Sequence, residues 1–125
     1  MALGIETTQK ALGAYIISCA GRLDTTTSPM LEEEVNRLLG ESPELIAFDM
    51  EDLNYLSSAG VRVLIKAQKA MKEKSGKVVL LRLQPQIRKV LEIINALPEQ
   101  RIFKSIEELD GYLDRMQKKV LNEED

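Results

Sequence analysis

The chain has no histidine and a single cysteine, Cys19, among its 125 residues. Without histidine, a Ser-His-Asp arrangement has no general base, and the usual zinc ligand sets cannot be assembled. A lone cysteine cannot form an internal disulfide, and the apolar run from Tyr15 to Ala20 favours a small core residue over a reactive thiol. Gly-rich phosphate-binding and dinucleotide-binding motifs are missing too. We therefore expect a protein that is not an enzyme and needs neither metal nor cofactor.

Long apolar runs and an excess of positive charge are also missing. No apolar stretch approaches the ~20 residues that cross a bilayer, and the N-terminus lacks a basic segment followed by a hydrophobic stretch and a cleavage site. The net charge is −3, only 4% of the residues are aromatic, and the basic residues are dispersed among acidic ones. We expect a cytoplasmic monomer that neither inserts into a membrane nor binds nucleic acid.

The rest of the composition suits one compact unit. Hydrophobic residues make up 44% of the chain and charged residues 30%, as in ordinary globular proteins. A chain of 125 residues is long enough to bury a core and too short for two comfortable domains. We expect a single domain over residues 1–125, with a core at about 4–121 and a short tail at 122–125.

Hydrophobic periodicity predicts an opening hairpin followed by alternating helices and strands. Apolar and β-rich runs predict strands at about 4–9, 14–20, 45–50, 77–83 and 101–104. Apolar residues at helical spacing predict helices that begin near Ser28, Ser58, Pro85 and Ser105, with Ser28 as the cap before Pro29. Residues 51–57 are expected to form a short acidic loop. This order predicts an α/β fold with a mixed, mostly parallel sheet of about five strands and about four helices.

Two adjacent serines, Ser57 and Ser58, stand where the acidic loop meets the second predicted helix. A helix N-terminus has unpaired N–H groups and partial positive charge, so a phosphoryl group on Ser58 would be stabilised there. It would add about −1.5 to −2 charge beside Glu51, Asp52 and Asp24, and would repel an acidic or closely packed partner. Helix capping is the commoner use of serine at such a place, and spacing alone favours it.

The neighbouring residues also have simpler structural interpretations. Gly60 fits a loop–helix junction packed closely against a strand, and would leave the serine uncovered as well. Asp24 fits a turn with Thr26. A nucleophilic Ser58 with Asp24 or Asp52 as its base has no evident source of activation, because histidine and a Ser-x-x-Lys motif are both missing.

The segment Gly21-Arg-Leu-Asp24 and the stretch from Phe48 to Gly60 resemble the STAS domain of bacterial anti-sigma factor antagonists. The likeness extends from about 4 to 121. In that family the loop typically has Asp-Ser-Ser-Gly or Asp-Ser-Ala-Gly, and a partner kinase phosphorylates the serine directly after the aspartate. That position is Ser58 here. Ser57 replaces the aspartate and is the alternative acceptor.

The resemblance implies a partner switch. The unphosphorylated domain would bind an anti-sigma factor serine kinase and release a sigma factor, and a PP2C-type phosphatase would reset it. The implied partner-binding residues are Asp24, Thr25, Thr26, Asn54, Leu56, Ser57, Ser58, Gly60 and Arg62. Because Ser57 replaces the aspartate, an alternative remains open: an unphosphorylated STAS interaction subunit of a lipid or anion transport assembly.

Overall fold

The computed structural model describes residues 3–93, 101–103 and 105–124. In this part of the chain there are six strands and four helices. The strands are β1 (Leu3–Ala11), β2 (Ala14–Leu23), β3 (Leu45–Asp49), β4 (Leu53–Leu56), β5 (Lys77–Leu81) and β6 (Arg101–Phe103). The helices are α1 (Ser28–Leu39), α2 (Ser58–Glu73), α3 (Pro85–Ile93) and α4 (Ile106–Glu124). Within these described ranges, no helix is both long enough and apolar enough to cross a bilayer.

One sheet organises the fold, in the order β1-β2-β3-β5-β6. β1 is antiparallel to β2, whereas the pairs β2–β3, β3–β5 and β5–β6 are parallel. This confirms the predicted α/β class with a mixed, mostly parallel sheet. Lys104, the predicted last residue of the final strand, lies outside the described residues, and α4 continues through Glu124 into the predicted tail.

The predicted acidic loop contains a further short strand, β4, which pairs parallel to the end of β2 and lies off the main strand path. Leu53 and Leu56 are buried, while Asn54 and Tyr55 between them are exposed. A pattern of only four residues is too short to stand out in the sequence. The strand forms because Leu53 and Leu56 reach the core while their backbone pairs with β2.

The start of α1 also differs from the prediction. Thr27, not Ser28, is the N-cap, and Ser28 is the first helical residue. The Thr27 hydroxyl accepts a hydrogen bond from Asp24 N–H at 2.8 Å and donates one to Arg22 C=O at 2.8 Å. This hydroxyl therefore fixes the chain entering the helix instead of capping its free N–H groups.

The core occupies both faces of the sheet. The larger cluster lies on the face covered by α1, α2 and α3, and the smaller one lies under α4. All five residues of β3 are buried, as expected for a central strand covered on both sides. Cys19 is 2% exposed within the larger cluster, which confirms its prediction as a core residue. Burial, with a smaller contribution from the Asp49 charge, raises the pKa of the Cys19 thiol to about 12.

Candidate functional site

The two serines at the start of α2 have different roles. Ser57 is the N-cap, and its Oγ accepts a hydrogen bond from Gly60 N–H at 3.2 Å. Its own N–H donates to Leu23 C=O at 2.9 Å, which fixes the cap to the end of β2. Ser58 is the first helical residue and is exposed, and no hydrogen bond among the described residues involves its hydroxyl. The capping role thus belongs to Ser57, and the Ser58 hydroxyl faces solvent.

Gly60 holds the start of α2 close to the sheet. It is buried, and a Cβ at this position would lie 2.7 Å from Leu23 Cγ and 2.9 Å from Leu56 Cδ1. Contacts this short leave no room for a methyl group between the helix and the two strands. The close packing expected for Gly60 is therefore confirmed.

Asp24 organises the turn between β2 and α1. Its Oδ1 accepts hydrogen bonds from Thr26 N–H at 3.0 Å, Thr26 Oγ1 at 2.8 Å and Thr27 N–H at 3.1 Å. The Thr26 hydroxyl is the largest cause that lowers the pKa of the Asp24 carboxyl to about 2. The predicted turn with Thr26 is confirmed. A carboxylate with so low a pKa is a weak general base near neutrality.

Removing the Thr26 hydroxyl should raise the pKa of Asp24 from about 2 toward its ordinary value of 3.8. A lowered pKa favours the folded state above the unfolded pKa, and this contribution is lost as pH falls through the folded pKa. In Thr26→Val the contribution of the Asp24 carboxylate to the stability of the folded state should therefore be smaller, and it should be lost at higher pH. An NMR titration of the Asp24 carboxyl carbon measures the midpoint. Thr25→Val is the control, because no described hydrogen bond joins Thr25 to Asp24; equal midpoints in the two variants would contradict this cause.

Pairing of β2 with β4 brings the two sequence motifs together. Arg22 lies opposite Tyr55, and Leu23 lies opposite Leu56. Of the implied partner-binding residues, those with exposed side chains are Thr25, Thr26, Asn54, Ser58 and Arg62. Leu56 and Gly60 are buried and are therefore not accessible to a partner.

Two contacts made by residues of these motifs were not predicted from the sequence. The Arg22 guanidinium lies 4.1 Å from the centroid of the Tyr55 ring, and Tyr55 is 42% exposed. Exposed tyrosine and arginine are common in protein interfaces. The other contact is an ion pair between Asp49, the last residue of β3, and Arg82. A charged residue at the end of the apolar run 45–50 was the available signal for it.

The exposed residues that surround Ser58 in the chain are mostly polar. Among the described residues, no cluster of three or more histidine, cysteine, aspartate or glutamate side chains could hold a metal ion. What the arrangement presents is an exposed hydroxyl at a helix start, close in the chain to the acidic pair Glu51 and Asp52.

Comparison with known proteins identifies the class. The family model of the STAS domain matches residues 6–109, and the chain belongs to this family. BtrV of Bordetella bronchiseptica, named as a putative anti-sigma factor antagonist, is 31% identical over 90 residues, which cover 71% of this chain and 78% of the relative. The resemblance found in the sequence is thereby confirmed.

Two solved structures share the fold. SpoIIAA of Bacillus, an anti-sigma factor antagonist, has a TM-score of 0.72 in its unphosphorylated form, with 18% identity over 91% of this chain and 98% of that chain. The murine anion transporter Slc26a9 has a TM-score of 0.74 with 15% identity, over 86% of this chain and 19% of the transporter. At these identities the likeness concerns the fold alone.

Proposed function

We propose that the chain is a cytoplasmic anti-sigma factor antagonist whose partner binding is controlled by phosphorylation of Ser58. The observation that carries this proposal is the division between the serines: Ser57 caps α2, and Ser58 presents an exposed hydroxyl. Similarity to BtrV supports the antagonist role. In this proposal the chain is a substrate of an anti-sigma factor serine kinase and of a PP2C-type phosphatase, and it acts as a monomer.

Phosphorylation would change the charge of this surface more than its structure. The phosphate would lie at the N-terminus of a helix of 16 residues, where N–H groups and the helix dipole favour an anion. Its charge of about −1.5 to −2 would add to those of Asp24, Glu51 and Asp52. A partner that docks closely on this surface would meet the added charge and a bulkier, hydrated group, and would be released.

Ser58→Asp should weaken binding to the serine kinase at least about tenfold, because a single unpaired charge in a closely packed interface costs at least about 1.4 kcal/mol. Ser58→Asn has nearly the same shape without the charge and is the matched control. Affinity purification with wild type identifies the kinase, and titration calorimetry with the purified kinase then compares all three proteins. Equal affinities of wild type and Ser58→Asp would reject the switch.

The alternative is an unphosphorylated STAS interaction subunit of a lipid or anion transport assembly. Two observations favour keeping it: Ser57 in place of the family aspartate, and the fold shared with a part of Slc26a9. In that case wild type and Ser58→Asp would both capture the same transporter subunits, and neither would capture a serine kinase.

A further inference from the structure

A buried carboxylate lies at the end of the central strand β3. Asp49 is 6% exposed, and both of its carboxylate oxygens accept hydrogen bonds from Arg82: Nε lies 3.2 Å from Oδ1, and Nη2 contacts Oδ2. The third guanidinium nitrogen, Nη1, lies 3.1 Å from a carboxylate oxygen of Glu51. The hydrogen bonds to Asp49, together with the charges of Asp49 and Glu51, raise the pKa of Arg82. One side chain therefore joins the end of β3 to the acidic segment that follows it.

The backbone of Arg82 has an unusual conformation and is fixed by a hydrogen bond to β6. Its φ is +53°, a left-handed conformation that residues other than glycine rarely adopt. Its N–H donates to Phe103 C=O in β6 at 2.8 Å. Such a conformation persists where the surrounding contacts determine it. Arg82 thus connects the ends of β3, β5 and β6 at the edge of the sheet nearest the acidic segment.

The acidic segment Met50–Leu56 leads directly to the two serines and is fixed by contacts at its start. Met50 N–H donates to Leu81 C=O at 3.0 Å, and Glu51 N–H donates to Asp49 Oδ1 at 3.2 Å. The Glu51 carbonyl accepts a hydrogen bond from the Gln84 side chain. Asp52 C=O then accepts from Gly21 N–H at 3.0 Å, where β4 meets β2. The charged contacts at the start of the segment depend on Arg82.

We propose that Arg82 is a positioning residue that orders the acidic segment Met50–Leu56 and thereby presents Ser58 to its kinase. The role of Ser58 as phosphoacceptor rests on the proposed function, but how well the acidic segment is ordered can be measured without any kinase. The guanidinium makes two interactions here: it neutralises the buried Asp49 carboxylate, and it forms an ion pair with Glu51. Substitutions can separate the effects of these two interactions.

Arg82→Met removes both interactions and leaves the buried Asp49 carboxylate without its cation, which destabilises the whole fold. The double variant Asp49→Asn/Arg82→Met removes the buried charge as well, so its melting temperature should recover toward that of wild type. The amide oxygen introduced by Asp49→Asn can still accept from Glu51 N–H, but the double variant lacks Arg82, the described ion-pair partner of the Glu51 side chain. Asp49→Asn alone keeps Arg82 and shows the effect of the neutral amide.

Amide hydrogen exchange followed by NMR on the full chain is the test. In the double variant the amides of Gly21, Glu51 and Leu53 should exchange at least about tenfold faster than in wild type, while amides in β3 and β5 keep their protection. Arg37→Met is the matched control: Arg37 makes two hydrogen bonds to Glu34 on α1, at 2.8 and 2.7 Å, and its loss should leave the segment unchanged.

Unchanged exchange at these three amides in the double variant would overturn the proposal. Slower phosphorylation of Ser58 in the double variant than in Arg37→Met, at equal kinase concentration, would support it further. A wild-type chain that no kinase phosphorylates would reject the proposed function; faster exchange in the double variant would still support the ordering role of Arg82.

Discussion

Ser58→Ala should abolish phosphorylation of the chain by its serine kinase, whereas Ser57→Ala should retain it. The Ser57 hydroxyl is engaged with Gly60 N–H, while the Ser58 hydroxyl is exposed and has no described partner. Phosphoryl transfer needs a nucleophilic oxygen that can approach the kinase in line with the γ-phosphate. Incubation with kinase and ATP, followed by intact-mass measurement and peptide mapping, counts the phosphates and locates them.

Stability should show the reverse pattern: Ser57→Ala, which keeps phosphorylation, should lose stability, whereas Ser58→Ala should keep it. Replacing an N-cap serine with alanine costs about 1 kcal/mol, so Ser57→Ala should melt at a lower temperature than wild type. Ser58 is an exposed first-turn residue, and its replacement should change the free energy of unfolding by less than about 0.5 kcal/mol. Full phosphorylation of Ser58→Ala with none of Ser57→Ala would reassign the acceptor to Ser57.

Gly60→Val should destabilise the fold by about 3 kcal/mol, at the upper end of the usual cost of overpacking. The new Cβ would lie 2.7 Å from Leu23 Cγ and 2.9 Å from Leu56 Cδ1. Leu23 is 0% exposed and Leu56 is 5% exposed, so neither side chain can move toward solvent. Thermal denaturation should show a melting temperature lower by roughly 10 °C.

Gly4→Val is the control for this substitution. A Cβ on Gly4 would lie 3.9 Å from its nearest neighbours, an ordinary contact, and Gly4 is exposed in β1. Its free energy of unfolding should stay within about 0.5 kcal/mol of wild type. If Gly60→Val were as stable as Gly4→Val, close packing could not be the reason for glycine at the start of α2.

Sequence patterns predicted most of the strands and helices because each of these elements carries its own periodicity. The apolar run at 45–50 identified the central strand, and the apolar positions after Ser58 identified α2. The pattern could not assign different roles to Ser57 and Ser58, because the two side chains are identical. Their roles follow from the hydrogen bond between Ser57 N–H and Leu23 C=O, which joins residues distant in sequence and determines where the helix begins.

Long-range contacts also explain what sequence analysis missed. β4 exists because Leu53 and Leu56 pair with the end of β2, and a strand this short carries too little pattern to show this. Asp49 and Arg82 are 33 residues apart in the chain and meet only because β3 and β5 are neighbours in the sheet. Charge and spacing identify each residue as polar, but they do not specify its partner.

The tight packing beneath Gly60 limits how far phosphorylation of Ser58 could change the shape of the domain. A helix end that rests directly on Leu23 and Leu56 has no space to sink or tilt, and dense packing resists such movement. If Ser58 is phosphorylated as proposed, the domain should keep one shape with and without the phosphate, and the two states should differ mainly in charge. Recovery of the unphosphorylated state would then need no slow conformational change, and the rate of the proposed phosphatase would set its timing.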